Sequence, residues 1–267
     1  MTPHWSEQRD ALQEWLLTSL RILIGCDFDG TLAPLVSHAD DARLPAATRA
    51  VLQRLAALPG VSLAFISGRA LLDLQQRIDV VGALYAGNHG LEMTGADGAT
   101  VLAPGAEEGL PALRRVKSLL APCTTPMPGV WIEDKGLTLS VHYRLADESL
   151  HAEIEQVVRL AVAGTIPVVV RPAKCIWEIR PAIDWDKGAA LRQFMQQQHV
   201  SANATAYMGD DVTDGDAFRE LPDGWTFWVG ADAGPTARAM LRDVQDCAAL
   251  LEWMAEVRAA GHVPLLR

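Results

Sequence analysis

The segment Ile22-Leu23-Ile24-Gly25-Cys26 carries no charge and stops at Asp27-Phe28-Asp29-Gly30-Thr31-Leu32. A short unbroken apolar run bounded by turn residues reads as a strand buried on both faces, which is what a parallel sheet demands. Such a strand delivers two carboxylates to its C-terminal edge, where ligands of open α/β sheets bind. Gly30 permits a turn there, and Thr31 can hydrogen-bond back to fix it. One carboxylate can then attack while the other handles protons. At average residue usage the pattern D-x-D-G-T recurs by chance about once in 10^5 windows. Alone, it is also compatible with an Asp-Gly turn carrying two solvated acids.

The rest of the chain repeats the rhythm. Gln8 to Leu20 spaces Leu12, Trp15, Leu16 and Leu20 as one face of a helix. Pro45 opens a helix through Leu58, stopped by Pro59-Gly60. Val61 to Ile66 reads as a second buried strand ending in Ser67-Gly68-Arg69, then a helix follows over Leu71 to Ile78. Ala83 to Ala86 reads as a strand ending at Gly87-Asn88-His89-Gly90. This alternation implies a parallel α/β sheet. After about Pro104 the rhythm changes. A helix over Glu107 to Leu120 leads to a strand pair, Val130–Asp134 with Leu137–Tyr143, and a helix over Glu148 to Ala163 leads to a second, Pro167–Arg171 with Cys175–Arg180. Leu137, Leu139 and Val141 alternate with Thr138, Ser140 and His142, as in a sheet with one wet face. Parallel rhythm resumes with a helix over Asp186 to Gln198, a strand over Ala204 to Met208 ending Gly209-Asp210-Asp211, and a helix from Asp214 to Glu220. A strand over Trp225 to Val229 and helices over Pro235 to Leu241 and Cys247 to Ala259 complete it. The expected architecture is a catalytic α/β core over 1–104 and 184–267, interrupted by an inserted α+β cap over 105–183.

Bulk properties narrow the partners. A formal charge of −10 with no Lys or Arg run argues against a nucleic-acid backbone. It is compatible with a small phosphorylated substrate, because a metal ion can supply positive charge locally. The four cysteines, Cys26, Cys123, Cys175 and Cys247, have neither C-x-x-C nor zinc spacing. No apolar stretch approaches membrane-spanning length, and residues 1–10 lack a signal-peptide pattern. A soluble, cytoplasmic protein is expected, with the oligomeric state left open.

Polar groups gather at the ends of these strands and starts of these helices. Asp27, Asp29, Ser67, Lys187, Asp210, Asp211 and Asp214 all fall there. Taken singly, each has an ordinary reading: Ser67 as a cap or turn serine, Lys187 as a solvated lysine, Asp214 as a helix N-cap. Taken together they point to chemistry. Lys187 at a helix N-terminus opposes the macrodipole, which suggests an anionic partner. Three acids within Gly209-Asp210-Asp211-Val212-Thr213-Asp214 are costly unless a cation is shared.

This combination resembles the haloacid dehalogenase superfamily of phosphohydrolases. The D-x-D-G-T-L loop, the strand-end Ser67, Lys187 and the G-D-D-x-T-D loop stand in the superfamily's order. The fold implied is a Rossmann-like three-layer parallel-sheet core with an inserted cap. Ser67-Gly68-Arg69, Gly87-Asn88-His89-Gly90-Leu91-Glu92, Glu133-Asp134-Lys135-Gly136, His142-Tyr143-Arg144, Lys174 with Trp177-Glu178-Ile179-Arg180-Pro181, and Lys187-Gly188 look like the trehalose-6-phosphate phosphatase family within it. One departure stands out: that family usually follows the T-D of the last loop with Glu, and here Gly215 takes its place. Asp214 is kept, so metal binding is expected to survive, with a weakened second shell or an altered helix start.

The resemblance implies a Mg2+-dependent phosphatase acting on trehalose 6-phosphate through an aspartyl-phosphate. Asp27 would be the nucleophile and Asp29 the general acid and base. Ser67 and Lys187 would bind the phosphoryl group. Asp27, the backbone carbonyl of Asp29 and Asp210 would hold the metal, with Asp211 or Asp214 orienting its water. Arg69, Asn88, His89, Glu133, Lys135, His142, Lys174 and Glu178 would meet the sugar. Competing readings are another capped sugar-phosphate phosphatase of the sucrose-phosphate or mannosyl-phosphoglycerate type, a phosphosugar mutase, and a non-catalytic phosphosugar sensor.

Overall fold

The structure, a computed structural model, describes residues 2–36, 38–95, 97–173, 175–231, 234 and 236–261. It divides into two compact units, Met1–Val101 with Trp185–Arg267, and Leu102–Asp184.

The first unit runs α1 (Arg9–Thr18), β1 (Ile22–Cys26), α2 (Ala46–Ala56), β2 (Val61–Ile66), α3 (Leu71–Ile78), β3 (Leu84–Gly87), β4 (Glu92–Thr94) and β5 (Thr100–Leu102). The second contains α4 (Leu110–Thr124), β6 (Trp131–Asp134), β7 (Leu139–His142), α5 (His151–Val162), β8 (Val168–Ala173) and β9 (Ile176–Pro181). The chain then returns to the first through α6 (Lys187–Gln198), β10 (Thr205–Gly209), α7 (Asp214–Arg219), β11 (Trp225–Val229), β12 (Ala239–Leu241) and α8 (Val244–Gly261).

The large sheet has the order β12-β11-β10-β1-β2-β3-β4-β5, parallel from β12 to β3 with β4 antiparallel to β3. The two faces of β1 explain its unbroken apolar sequence. Ile22, Ile24 and Cys26 enter a core with α1, α2, α3 and α8, while Leu23 enters a second core with α6 and α7. β2 and β10 alternate likewise, with Leu63, Phe65, Ala206 and Met208 on one side and Ala64, Ile66 and Tyr207 on the other. Both faces are covered, so every position of β1 is buried. This is a three-layer α/β fold.

One expected helix is a strand. Of the helix expected over Pro235 to Leu241, Pro235 lies outside the described residues and Ala239–Leu241 is β12, paired in parallel with β11. Its middle N–H, on Met240, donates to the Pro3 carbonyl at 2.9 Å. Ala239 and Leu241 are buried in the larger core. Three residues are too short for a period to show, and the open edge of β11 decides their conformation. β4 and β5 are equally short and were not anticipated. Among the described residues no helix is long and apolar enough to cross a membrane.

In the second unit the sheet order is β6-β7-β9-β8, antiparallel throughout. Ile132, Leu139, Val141, Trp177 and Ile179 pack with Leu113, Val116 and Leu120 of α4 and Ile154 and Val158 of α5. The alternate residues Trp131, Glu133, Ser140, His142 and Glu178 occupy the opposite sheet face, in register with one another.

Gly25 shows how tightly the first unit is packed. It pairs with Tyr207 on β10, and a Cβ added to it would stand 2.5 Å from the Tyr207 ring. That ring cannot retreat freely, because its hydroxyl donates to Asp214 Oδ1 at 3.0 Å. Gly25→Ala should therefore cost about 1–3 kcal/mol by overpacking. Urea unfolding should show a lower midpoint at unchanged slope; an unchanged midpoint would mean that the ring has room to move.

Candidate active site

Strand register assembles the site. Cys26 lies opposite Phe65 on β2 and Met208 on β10, so the loops after all three strands leave at one edge. Asp27 N–H donates to the Met208 carbonyl at 3.0 Å, which holds the first acid at the sheet's end. The turn that follows is closed by Gly30 N–H to Ala33 O (2.7 Å) and by Leu32 and Ala33 N–H to Phe28 O (both 2.9 Å). Gly30 has φ +82°, and a side chain there would strike the Asp210 carboxylate. Thr31 does not bond back onto its own turn; its hydroxyl donates across to Asp210 Oδ1 at 3.0 Å.

Lys187 is the first residue of α6, whose N-cap Asp186 accepts from Ala189 N–H at 2.9 Å. Far from being solvated, its side chain is 2% exposed. Its Nζ lies 2.7 Å from Asp214 Oδ1 and 3.3 Å from Asp27 Oδ2. Burial alone would push this ammonium down, but Asp214 and Asp27 outweigh it and hold it above the usual lysine range. Asp214 is completely buried and accepts also from Tyr207 Oη and from Asp211 N–H (2.9 Å). Gly209 leaves room for it, since a Cβ there would collide with its carboxylate. Gly215, the departure noted in the sequence, is buried as the second residue of α7 and leaves these contacts of Asp214 in place.

The acids are held under strain of charge. Burial pushes Asp27 well above the usual carboxylate range; Lys187 pulls it back, and Asp214, Asp210 and Asp29 add to the rise. Asp210 is pushed up to about 7, first by burial and then by Asp214. Asp27, Asp210 and Asp214 each offer an oxygen within 4.8 Å of the others. Asp27 Oδ1 is buried with no hydrogen-bond partner among the described residues. An all-oxygen donor set with an unsatisfied buried oxygen fits a hard divalent cation. Asp211 stands apart, exposed, with its carboxylate accepting from Thr213 N–H at 3.2 Å.

Asp29 faces elsewhere. Both its oxygens are taken by Arg69, from Nε at 2.6 Å and Nη2 at 2.7 Å. Ser67 is buried at the end of β2, its Oγ accepting from Arg69 N–H at 3.3 Å. Backbone bonds stitch this loop to the next: Asn88 N–H to Arg69 O (2.7 Å) and His89 N–H to Ser67 O (2.9 Å). The His89 ring covers Gly68, where a Cβ would come within 2.6 Å of Nε2. Asn88 is fully buried and donates to Glu92 Oε1 at 2.7 Å, which braces the turn.

In the second unit, His142 stacks on Trp131 at 4.6 Å with planes 3° apart, and its Nε2 lies 2.7 Å from Glu133 Oε2. Lys135 Nζ is 3.9 Å from the same oxygen. Glu178 lies across from Ser140 on the same face and is buried. Lys174 lies outside the described residues. Sequence reasoning missed Tyr207, Asp73 and Trp131. The signal for Tyr207 was a hydroxyl in the middle of a buried strand, with glycine opposite; the other two had none.

The trehalose-phosphatase family model matches residues 26–231. The trehalose-phosphate phosphatase of Mycobacterium marinum is 38% identical over 222 residues, 80% of this chain and 56% of that protein. Its Mycobacterium tuberculosis counterpart is 38% identical over 195 residues, 72% of this chain and 49% of that protein. The chain thus spans about half the length of the curated relatives it matches. The solved C-terminal domain of Candida albicans trehalose-6-phosphate phosphatase has the same fold, with a TM-score of 0.81 at 23% identity over 96% of this chain and 98% of that one. A haloacid dehalogenase-like hydrolase from Bacteroides thetaiotaomicron shares it at a TM-score of 0.63 and 14% identity, over 88% and 99%. With a family match running from the residue before Asp27 to beyond Asp214, the chain belongs to the trehalose-phosphatase family.

Proposed function

We propose that the chain hydrolyses trehalose 6-phosphate to trehalose and phosphate through a phosphoryl-enzyme on Asp27. The observation that carries this reading is a charge imbalance: among the described residues, the carboxylates of Asp27, Asp210 and Asp214 meet the single ammonium of Lys187. Asp29 is already matched by Arg69. Two uncompensated negative charges at a sheet edge suit a divalent cation, and the chemistry favours Mg2+. Asp27, Asp210 and the Asp29 carbonyl would hold that ion beside Asp214, where it would supply positive charge to a phosphoryl group.

Asp27 attacks phosphorus as the bond to the sugar oxygen breaks, and Asp29, which enters this step protonated and released from one of its two Arg69 bonds, gives that oxygen its proton. Asp29 then takes a proton from the water that attacks the phosphoryl-aspartate, which releases phosphate and restores Asp27. Lys187 offsets charge on Asp27 and the transferring oxygens, and Ser67 donates a hydrogen bond to them. The polar face of the second unit, with Glu133, His142 and Glu178, recognises sugar hydroxyls; Lys135, Lys174, Asn88, His89 and Arg69 were expected to share that task. The family match supports trehalose 6-phosphate as the substrate, and a cytoplasmic location fits such a substrate.

The direct test is phosphate release with Mg2+. Trehalose 6-phosphate should be preferred over sucrose 6-phosphate, and Asp27→Asn should abolish turnover while thermal unfolding stays cooperative. Equal rates on both sugars would remove the sugar assignment. Glu178→Ala should raise KM for trehalose 6-phosphate about tenfold, the worth of one to two lost polar contacts, and leave para-nitrophenyl phosphate hydrolysis unaltered.

Metal and protons compete for the same oxygens. Asp210 holds its proton up to about 7 in the folded chain, against an ordinary value near 4 in the unfolded one. Without metal, this group's stabilisation is therefore present in acid and lost as pH rises through about 7. Binding a cation favours the ionised form, so Mg2+ should raise Tm more at about pH 8 than at about pH 5. Equal shifts at both pH values, measured against a chelator control, would contradict the shared site.

A further inference from the structure

Arg69 does not present a free guanidinium to a substrate. Besides gripping both oxygens of Asp29, it donates from Nη1 to Asp73 Oδ2 at 2.8 Å and from Nη2 to Ala39 O at 2.8 Å. Its Cζ lies over the Phe28 ring, 5.2 Å from the centroid. Asp73 is held in turn by Arg77 Nε at 2.7 and 2.8 Å, and Arg77 donates to Ala42 O at 2.7 Å. The result is a ladder, Asp29–Arg69–Asp73–Arg77, in which Arg69 is a fixed post. A guanidinium stays charged at any working pH, and its fork matches a carboxylate in one plane. Among the described residues Asp29 has only this side-chain partner, and its side chain is about one-third exposed, so it is the member of the ladder that can turn.

We propose that Arg69 is a positioning residue for the proton-transferring carboxylate: its fork sets the orientation from which Asp29 serves the leaving oxygen. The inference rests on the phosphatase reading above. To act as an acid, a carboxylate gripped at both oxygens must yield one bond to Arg69 and take up a proton on the released oxygen before it meets the sugar oxygen, while Arg69 keeps the other. Without the fork, Asp29 explores several rotamers and spends little time aimed at the leaving group.

The test uses kcat/KM, which reports only the steps through departure of the alcohol. para-Nitrophenyl phosphate has a leaving group that needs no proton. Phenyl phosphate has one about as basic as tyrosine, near 10, and trehalose 6-phosphate a more basic one still. Arg69→Ala should lower kcat/KM about tenfold to a hundredfold for phenyl phosphate and trehalose 6-phosphate, within the range of general acid catalysis. It should change para-nitrophenyl phosphate less than about threefold, because the acid contributes nothing there. Arg69→Lys, a point charge without the fork, should recover only part of the loss. A purely structural role would scale all three substrates together, and so would a fraction of misfolded enzyme; an unchanged ratio between aryl substrates overturns the inference. Should Arg69→Ala fail to fold, Asp73→Asn removes one anchor of the post and should shift the same ratio in the same direction. Wild-type activity on the aryl phosphates but not on trehalose 6-phosphate would overturn the sugar assignment and leave the ratio test of Arg69 standing.

Discussion

Lys187 carries a full positive charge where almost no water reaches it, and the architecture of the sheet edge follows from that fact. An isolated ammonium there would lose its proton, because burial disfavours the charged form. Asp214 at 2.7 Å and Asp27 at 3.3 Å keep it charged. Breaking such a buried pair by removing one partner typically costs about 3–5 kcal/mol. The fold meets the geometric demand by deleting side chains: Gly30 makes way for Asp210, Gly209 for Asp214, and Gly25 for the Tyr207 ring whose hydroxyl secures Asp214. Three glycines on three segments thus serve one electrostatic arrangement.

Much of this was legible in the chain. The unbroken apolar run Ile22–Cys26 announced a strand covered on both faces, the runs Val61–Ile66 and Ala204–Met208 announced its neighbours, and each ended in the polar residues that matter. The position of Lys187 against the helix dipole pointed to anionic company, which the structure supplies from its own carboxylates. What escaped was whatever depends on a partner far away in sequence. β12 forms because β11 offers an open edge, not because Ala239-Met240-Leu241 prefers extension. Arg69 was expected to meet the sugar, yet its guanidinium is taken up by Asp29, 40 residues before it, and Ala39, 30 before it. Thr31 was expected to close its own turn, while the partner it finds, Asp210, is 179 residues away.

The second unit resolves its polar residues by simple alternation. Each of its strands gives one set of side chains to α4 and α5 and the other set to the opposite face. Trp131, stacked flat on His142 and in register with it, adds a broad apolar surface beside the hydrogen-bonding groups of Glu133. Flat aromatic surface next to carboxylate and imidazole is a pairing suited to a ligand with both C–H and O–H faces. No periodicity in the sequence singles out Trp131, because its importance comes from the residue opposite.

The position of β1 between β2 and β10 has a consequence for the order of assembly. Its ladder with β2 joins residues some 40 apart, Ile22 to Val61, whereas its ladder with β10 joins residues some 180 apart, Leu23 to Thr205. A chain emerging from the ribosome can zip the first early. The second must wait until the whole intervening unit has been made, and contacts of such long separation form slowly. Until then Asp27 has neither Lys187 nor Asp214 beside it. Asp27 is among the first of these residues synthesised and its electrostatic surroundings are among the last, so the cluster is complete only once β10 has closed onto β1.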